Sequence, residues 1–277
     1  MPMDGLTLSL VTRELREALV GGRVDRITQP ERDELNILVR NHGRNQLLLL
    51  SASAGCARAH ITREKKVSPL EPPMLCMLLR KKLQGAKLLE ITQPDLERAL
   101  MLKFDSVNEL GDHVELTLAV EIMGRYSNII LVDENGKIID ALKRVDAEMS
   151  SERLVLPGLL YRLPPPQDKL SMLTCTVEEI MARIDALPRD MELSKALMSV
   201  LQGISPIIAR EVENSAGLGH EVYVKSMTPP QRRRTEMYVT TLMETAKNVS
   251  GTPHIVIDPQ NKPKDFAFMD IRQYGSA

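Results

Sequence analysis

A proline-dense segment divides this chain into two stretches with different hydrophobic rhythm. Residues 157–169, PGLLYRLPPPQDK, hold four prolines and no periodicity. Proline lacks a backbone donor and fixes φ, so a helix or strand does not run through such a stretch, and it reads as the linker. Before it, apolar residues come in strand-length runs bounded by turn signals; after it they recur at helical spacing. The expected fold class is α+β, with an antiparallel β lobe flanked by helices over 1–170. A helical module follows over 171–229, then a helix plus β-hairpin over 230–277 that is expected to lead into a coiled coil.

Within the first stretch, Leu8, Val11, Leu15, Ala18 and Leu19 share a helical face over 6–20, and Gly21-Gly22 ends that helix. Val24–Thr28, Glu34–Val39 and Gln46–Ser51 read as strands, the last two joined at His42-Gly43-Arg44-Asn45, and His60–Thr62 adds a short one. A helix over 74–86 is expected to bury Met74, Leu75, Leu78, Leu79 and Leu83. Further strands are expected at Lys87–Thr92, Ala99–Asp105, His113–Leu118, Asn128–Val132 and Lys137–Leu142, with Asn135-Gly136 as a hairpin signal. Past the linker, Thr176 and Glu179 have capping-box spacing for a helix over 177–186. Helices at 192–202, after Ser205-Pro206, and at 230–249 follow, then a hairpin over 254–271.

Aromatic residues make up 3% and Trp is absent, so Leu, Ile, Val and Met must fill the core. The net charge of −1 means that any polyanion-binding surface has to come from local clusters. Arg80-Lys81-Lys82, Arg232-Arg233-Arg234 and the group Arg58, Arg63, Lys65 and Lys66 are such clusters, though singly each is more often a solvated face. Arg80-Lys81-Lys82 also sits in the last turns of its helix, where cations suit the dipole. Cys56, Cys76 and Cys175 are odd in number and show no CxxC spacing, which argues against a disulfide framework and a zinc site and fits a reducing compartment. The N-terminus has no signal-peptide pattern, and no run approaches the roughly 18–20 apolar residues of a membrane span. The chain is therefore expected to be cytoplasmic, with no membrane partner.

Three segments concentrate polar chemistry. In LQGISPIIAREV (201–212), Gly203, Ile204 and Ser205 precede a proline-started helix, the pattern of a helix-hairpin-helix. Gly203 permits a tight turn, and the N–H groups opening the next helix can hold a phosphate oxygen; a plain helical hairpin is the competing reading. In PDLERAL (94–100), Glu97 stands beside Arg98, a carboxylate and a fork that can read a base edge and a phosphate, or else an exposed charged pair. In EIMGRYSN (121–128), Gly124 precedes Arg125, Tyr126, Ser127 and Asn128, which suits an RNA-contact loop or equally a turn whose polar groups cap backbone. No Walker-type, GxGxxG or GxSxG motif occurs, and the five histidines are scattered, so neither a cofactor, a metal nor a catalytic residue is expected.

Taken together, MDG (3–5), GGRVDRITQP (21–30), EPPMLCMLLRKKL (71–83), Glu97-Arg98, NELGD (108–112), VEIMGRYSNIILVDENGKIIDALKRV (120–145), LPGLLY (156–161) with PPPQDKL (164–170), and GISPIIAREVENSAGL (203–218) resemble the N-terminal part of the NFACT family, in order over most of the chain. The resemblance implies an N-terminal lobe similar to that of formamidopyrimidine-type DNA glycosylases, then a helix-hairpin-helix module. It implies a non-enzymatic factor that binds large ribosomal subunits carrying stalled peptidyl-tRNA and recruits tRNA, alanyl-tRNA in bacteria, for tailing without mRNA. The family's tRNA-contact positions fall on Asp4, Glu97 and Arg98, the pair here beginning with Glu where the family has Asp. Two alternatives accompany it. An older family name implies fibronectin binding, and Met1-Pro2 invites comparison with glycosylases that use an N-terminal proline, although Met3 rather than Glu follows.

Overall fold

The computed structural model describes residues 3–275; Met1-Pro2, on which the glycosylase comparison turned, lie outside the described residues. The chain forms two compact units. The first comprises Met3, Val11–Pro94 and Arg98–Pro166; the second comprises Asp4–Leu10, Asp95–Glu97 and the chain from Gln167 onward.

The first unit is built on an antiparallel sheet. Its strands are β1 (Arg23–Glu31), β2 (Glu34–Asn41), β3 (Arg44–Ser51), β4 (Arg58–Thr62), β5 (Lys87–Thr92), β6 (Ala99–Val107), β7 (His113–Glu121), β8 (Asn128–Val132) and β9 (Ile138–Ala141). They lie in the order β4-β3-β2-β1-β5-β6-β7-β8-β9. Alternation fixes the register: Leu35 opposes Leu50 and Ile37 opposes Leu48, and all four are buried. The turn after β2 is tighter than expected. Asn41 opposes Arg44, so His42 and Gly43 alone make the loop, both with positive φ (46° and 76°) as a two-residue hairpin of this twist demands.

Helix α1 (Gly5–Leu19) begins in the second unit and ends in the first; α2 (Met74–Leu83) packs on β1. The face expected for α2 needs correction. Met74 is 80% exposed, while Leu75, Cys76, Leu79 and Leu83 are buried. These positions share one helical face, and Cys76 lies 3.8 Å from the Ile27 carbonyl through its sulfur. Burial pushes its thiol pKa up.

The expected linker is also shorter than its composition implied. Gly158 donates to the Ile138 carbonyl, Ile138 to Leu159, and Tyr161 to Gly136, so 158–161 run along β9. The residues between Pro157 and Pro164 keep their N–H groups, which is what makes this possible. Tyr161 then reaches Glu121, which is 1% exposed, with a hydroxyl hydrogen bond of 2.9 Å. Arg153 grips the same carboxylate through both terminal guanidinium nitrogens, at 2.9 and 2.6 Å.

The second unit has one core shared by α3 (Val177–Asp185), α4 (Leu193–Val200), α5 (Pro206–Gly217), α6 (Pro229–Asn248) and the end of the hairpin β10–β11 (His254–Ile257, Pro263–Ala267). Leu6, Leu96, Ile180, Leu197, Ile208, Val239 and Phe268 are among its members. The capping box at α3 forms in both directions between Thr176 and Glu179.

Candidate nucleic-acid interface

In the first unit, β6 and β7 set the geometry. Ala99 opposes Glu121 in the ladder, and the Ile122 N–H donates to the Arg98 carbonyl at 2.7 Å. This register brings half-buried Arg98 beside the chain that leads into a short 3-10 turn, Gly124–Tyr126. Gly124 has φ of 57°, a conformation that suits glycine. The turn presents Arg125 and Tyr126, with the guanidinium 4.7 Å from the ring centroid and the ring exposed to solvent. A cation held over a ring offers a charge and a stacking face together.

Ser127 and Asn128 are placed differently. Both are buried. Ser127 Oγ accepts the Met123 N–H at 2.8 Å. Asn128 accepts from the N–H groups of Ile129 and Lys143, both at 2.9 Å, and donates to the Lys143 carbonyl at 2.7 Å. These two side chains hold the turn rather than face solvent, the backbone-capping reading of that segment. Lys143 braces it further by donating to the Ala52 carbonyl, and burial holds its ammonium pKa below the usual lysine range.

The basic run on α2 is partly engaged within the fold. Arg80 Nε donates to the Ile27 carbonyl at 2.8 Å, Lys81 pairs with Glu109 at 2.7 Å at the surface, and Lys82 is half-buried.

In the second unit, three short segments meet backbone to backbone. A Cβ on Gly5 would lie 2.0 Å from the Leu96 carbonyl oxygen, and one on Gly203 would lie 2.7 Å from Leu96 Cβ. Leu6 donates to the Gly203 carbonyl at 3.0 Å, and Gly203 has φ of 81°. Asp4 is buried at the start of α1 and accepts the Thr7 N–H at 2.7 Å, as an N-cap aspartate does. Half-buried Glu97 accepts from Gln202 Nε2 at 2.7 Å, a partnership the sequence did not signal. Ile204 is buried; Ser205 stands at the N-cap of α5, its hydroxyl oxygen buried and capping no first-turn N–H. Glu97 and Arg98, adjacent in sequence, thus belong to different units.

Comparisons with known proteins follow the same lines. The family described as NFACT N-terminal and middle domains matches residues 4–277. A protein named Rqc2 homolog RqcH from Bacillus subtilis is 42% identical over 223 residues, covering 80% of this chain and 39% of its own length. An archaeal Rqc2 homolog from Methanocaldococcus jannaschii is 25% identical over 270 residues, covering 92% of this chain and 37% of its own. The chain thus spans about two-fifths of these relatives. Among solved structures, the N-terminal part of the fibronectin/fibrinogen-binding protein from Streptococcus suis superposes with a TM-score of 0.79 at 32% identity, covering 98% of this chain and 91% of that one.

Proposed function

Because the chain belongs to the family of NFACT N-terminal and middle domains, we propose that it is the tRNA-facing front part of a ribosome quality control factor. The observation that carries this reading is the β6–β7 register, which bonds the Arg98 backbone to Ile122, on the chain that leads into the exposed Arg125–Tyr126 turn. Two guanidinium groups and a ring on a rigid sheet suit a folded RNA, where cations take phosphates and rings stack on unpaired bases. Ser127 and Asn128 act by fixing the turn, and Asp4 by fixing the start of α1.

The second unit contributes a helix-hairpin-helix made of α4, the Gly203 turn and α5. First-turn N–H groups of a helix have no partner within it, so those of α5 hold a phosphate oxygen. Glu97, held by Gln202, takes the acidic contact position. The names of the relatives, Rqc2 homologs from bacteria and archaea and a Saccharomyces cerevisiae protein named ribosome quality control complex subunit 2, support the role in ribosome quality control. In that role the whole protein binds the large subunit with its stalled peptidyl-tRNA in the cytoplasm. It recruits alanine tRNA for tailing, and the ribosome itself forms the peptide bonds. Among the described residues no helix is long and apolar enough to cross a membrane.

The solved neighbour's name favours a second reading, binding of fibronectin or fibrinogen. One binding assay separates the two. The chain is titrated with folded tRNA and with fibronectin, alongside a variant carrying Arg98→Ala and Arg125→Ala. Saturable tRNA binding lost in the variant supports the first reading; fibronectin binding without tRNA binding replaces it with the second.

A further inference from the structure

One face of the first unit's sheet carries a cleft that the tRNA reading does not use. Arg26 opposes Leu38 and Thr28 opposes Asn36 across β1 and β2, and Leu38 opposes Leu47 across β2 and β3. The chain after β4 adds Lys65, Lys66 and Ser68, and together these residues line a cleft of ≈ 340 Å³. Asn36 is only 3% exposed, yet its Oδ1 is buried without a hydrogen-bond partner. Folded proteins seldom leave such an atom unpaired unless the site has a use for it. Lys66 is committed to Glu31 and Glu34, at 2.5 and 2.8 Å, which leaves exposed Arg26 and Lys65 as the cations of the rim.

We propose that this cleft binds a single nucleotide. The proposal rests on the RNA-binding reading only for the nucleotide's source, which is either an unpaired residue of a bound RNA or a free mononucleotide. A carboxamide offers a donor and an acceptor in one plane, the complement of a base edge. Leu38 and Leu47, side by side on adjacent strands, give the base an aliphatic floor. Arg26 and Lys65 take the phosphate. The volume lies at the lower end of small-ligand pockets, about 300–1,000 Å³, which suits one nucleotide better than a run of peptide.

The test is NMR on the 277-residue chain with the four 5′-mononucleotides, a single-stranded RNA tetramer and a hexaglutamate peptide. Nucleotides are expected to shift the Asn36 side-chain amide and the methyls of Leu38 and Leu47. Arg26→Glu and Lys65→Glu, at exposed positions, are expected to weaken all four nucleotides alike, about tenfold, and to flatten the salt dependence. Asn36→Leu is expected to erase the preference among bases instead, since base contacts specify and phosphate contacts position. Where Asn36→Leu fails to fold, the rim variants carry the test. Shifts from the tetramer but not the mononucleotides make RNA the source; shifts from both make a free nucleotide sufficient. No shift from either at millimolar concentration, shifts from the peptide alone, or undiminished binding in both rim variants overturns the proposal. Folded-tRNA binding measured in parallel separates the two readings. A silent cleft with tRNA bound defeats this proposal alone, and an occupied cleft without tRNA binding defeats the tRNA reading alone.

Discussion

Gln202 donates its side-chain N–H to Glu97 at 2.7 Å although 105 residues separate the two. The bond ties the 95–97 segment to the turn before α5 within the second unit. Aspartate at position 97 would withdraw the carboxylate by one methylene. Glu97→Asp is therefore expected to lower stability by about 1 kcal/mol, the usual net worth of one such bond. Gln202→Leu should lower it by a similar amount, and the double variant by little more than either. Urea denaturation of the four proteins measures this cycle, and full additivity would show that the two side chains do not communicate.

Gly5 makes a sharper case. Its missing Cβ is what allows the Leu96 carbonyl to approach, since that atom would stand 2.0 Å from the oxygen. Backbone cannot swing aside as a flexible side chain can, so Gly5→Ala should cost about 3 kcal/mol, the upper end of the usual overpacking penalty. A Cβ on Gly55 would meet nothing within 4 Å, and Gly55→Ala is expected to be near neutral. Thermal melts of the two variants should differ by many degrees; equal melts would refute the close approach.

The Glu121 carboxylate sets the behaviour of the segment 153–161. Removing Arg153 leaves a buried negative charge with much of its compensation gone, so Arg153→Ala should destabilise by about 3–5 kcal/mol. Urea denaturation beside the parent chain measures the loss, and a change below about 1 kcal/mol would show that the carboxylate does not depend on this guanidinium.

Tyr161 adds a pH signature. Burial first, and the Glu121 charge next, push its phenol far above the usual tyrosine range. Above the unfolded pKa of about 10, the unfolded chain releases a proton that the folded chain keeps, so stability falls as pH rises. Below that pH the contribution is intact. Tyr161→Phe is expected to flatten this part of the alkaline decline, visible as a difference between denaturation midpoints measured on either side of pH ~10.

Much of the sheet was legible because alternation and turn chemistry act locally, as in Leu35 opposing Leu50 and Ile37 opposing Leu48. The helix that follows was harder. Met74 and Cys76 are both plausible core residues, and only packing against Ile27 decides which one turns inward. The linker misled through its prolines, since the residues between them retain N–H groups that bond to β9. At the interface, Arg125 and Tyr126 stood out by type and prove exposed. Ser127 and Asn128 looked the same by type, yet their oxygens hold backbone. Residue type does not reveal which way a side chain faces at a turn. Gln202 was missed because its partner is distant in sequence. Asn36 left a faint signal, an amide in the middle of the apolar strand ELNILV.

The most direct measurement is the affinity of this chain for folded tRNA, with and without Arg98 and Arg125. Replacing both by alanine is expected to weaken binding by at least tenfold, about 1.4 kcal/mol, and to reduce the salt dependence by about two phosphate contacts. The melting temperature should stay nearly unchanged, because Arg125 is exposed and Arg98 is not among the buried core residues. Unaltered affinity with an intact fold would contradict the assignment of this face to RNA.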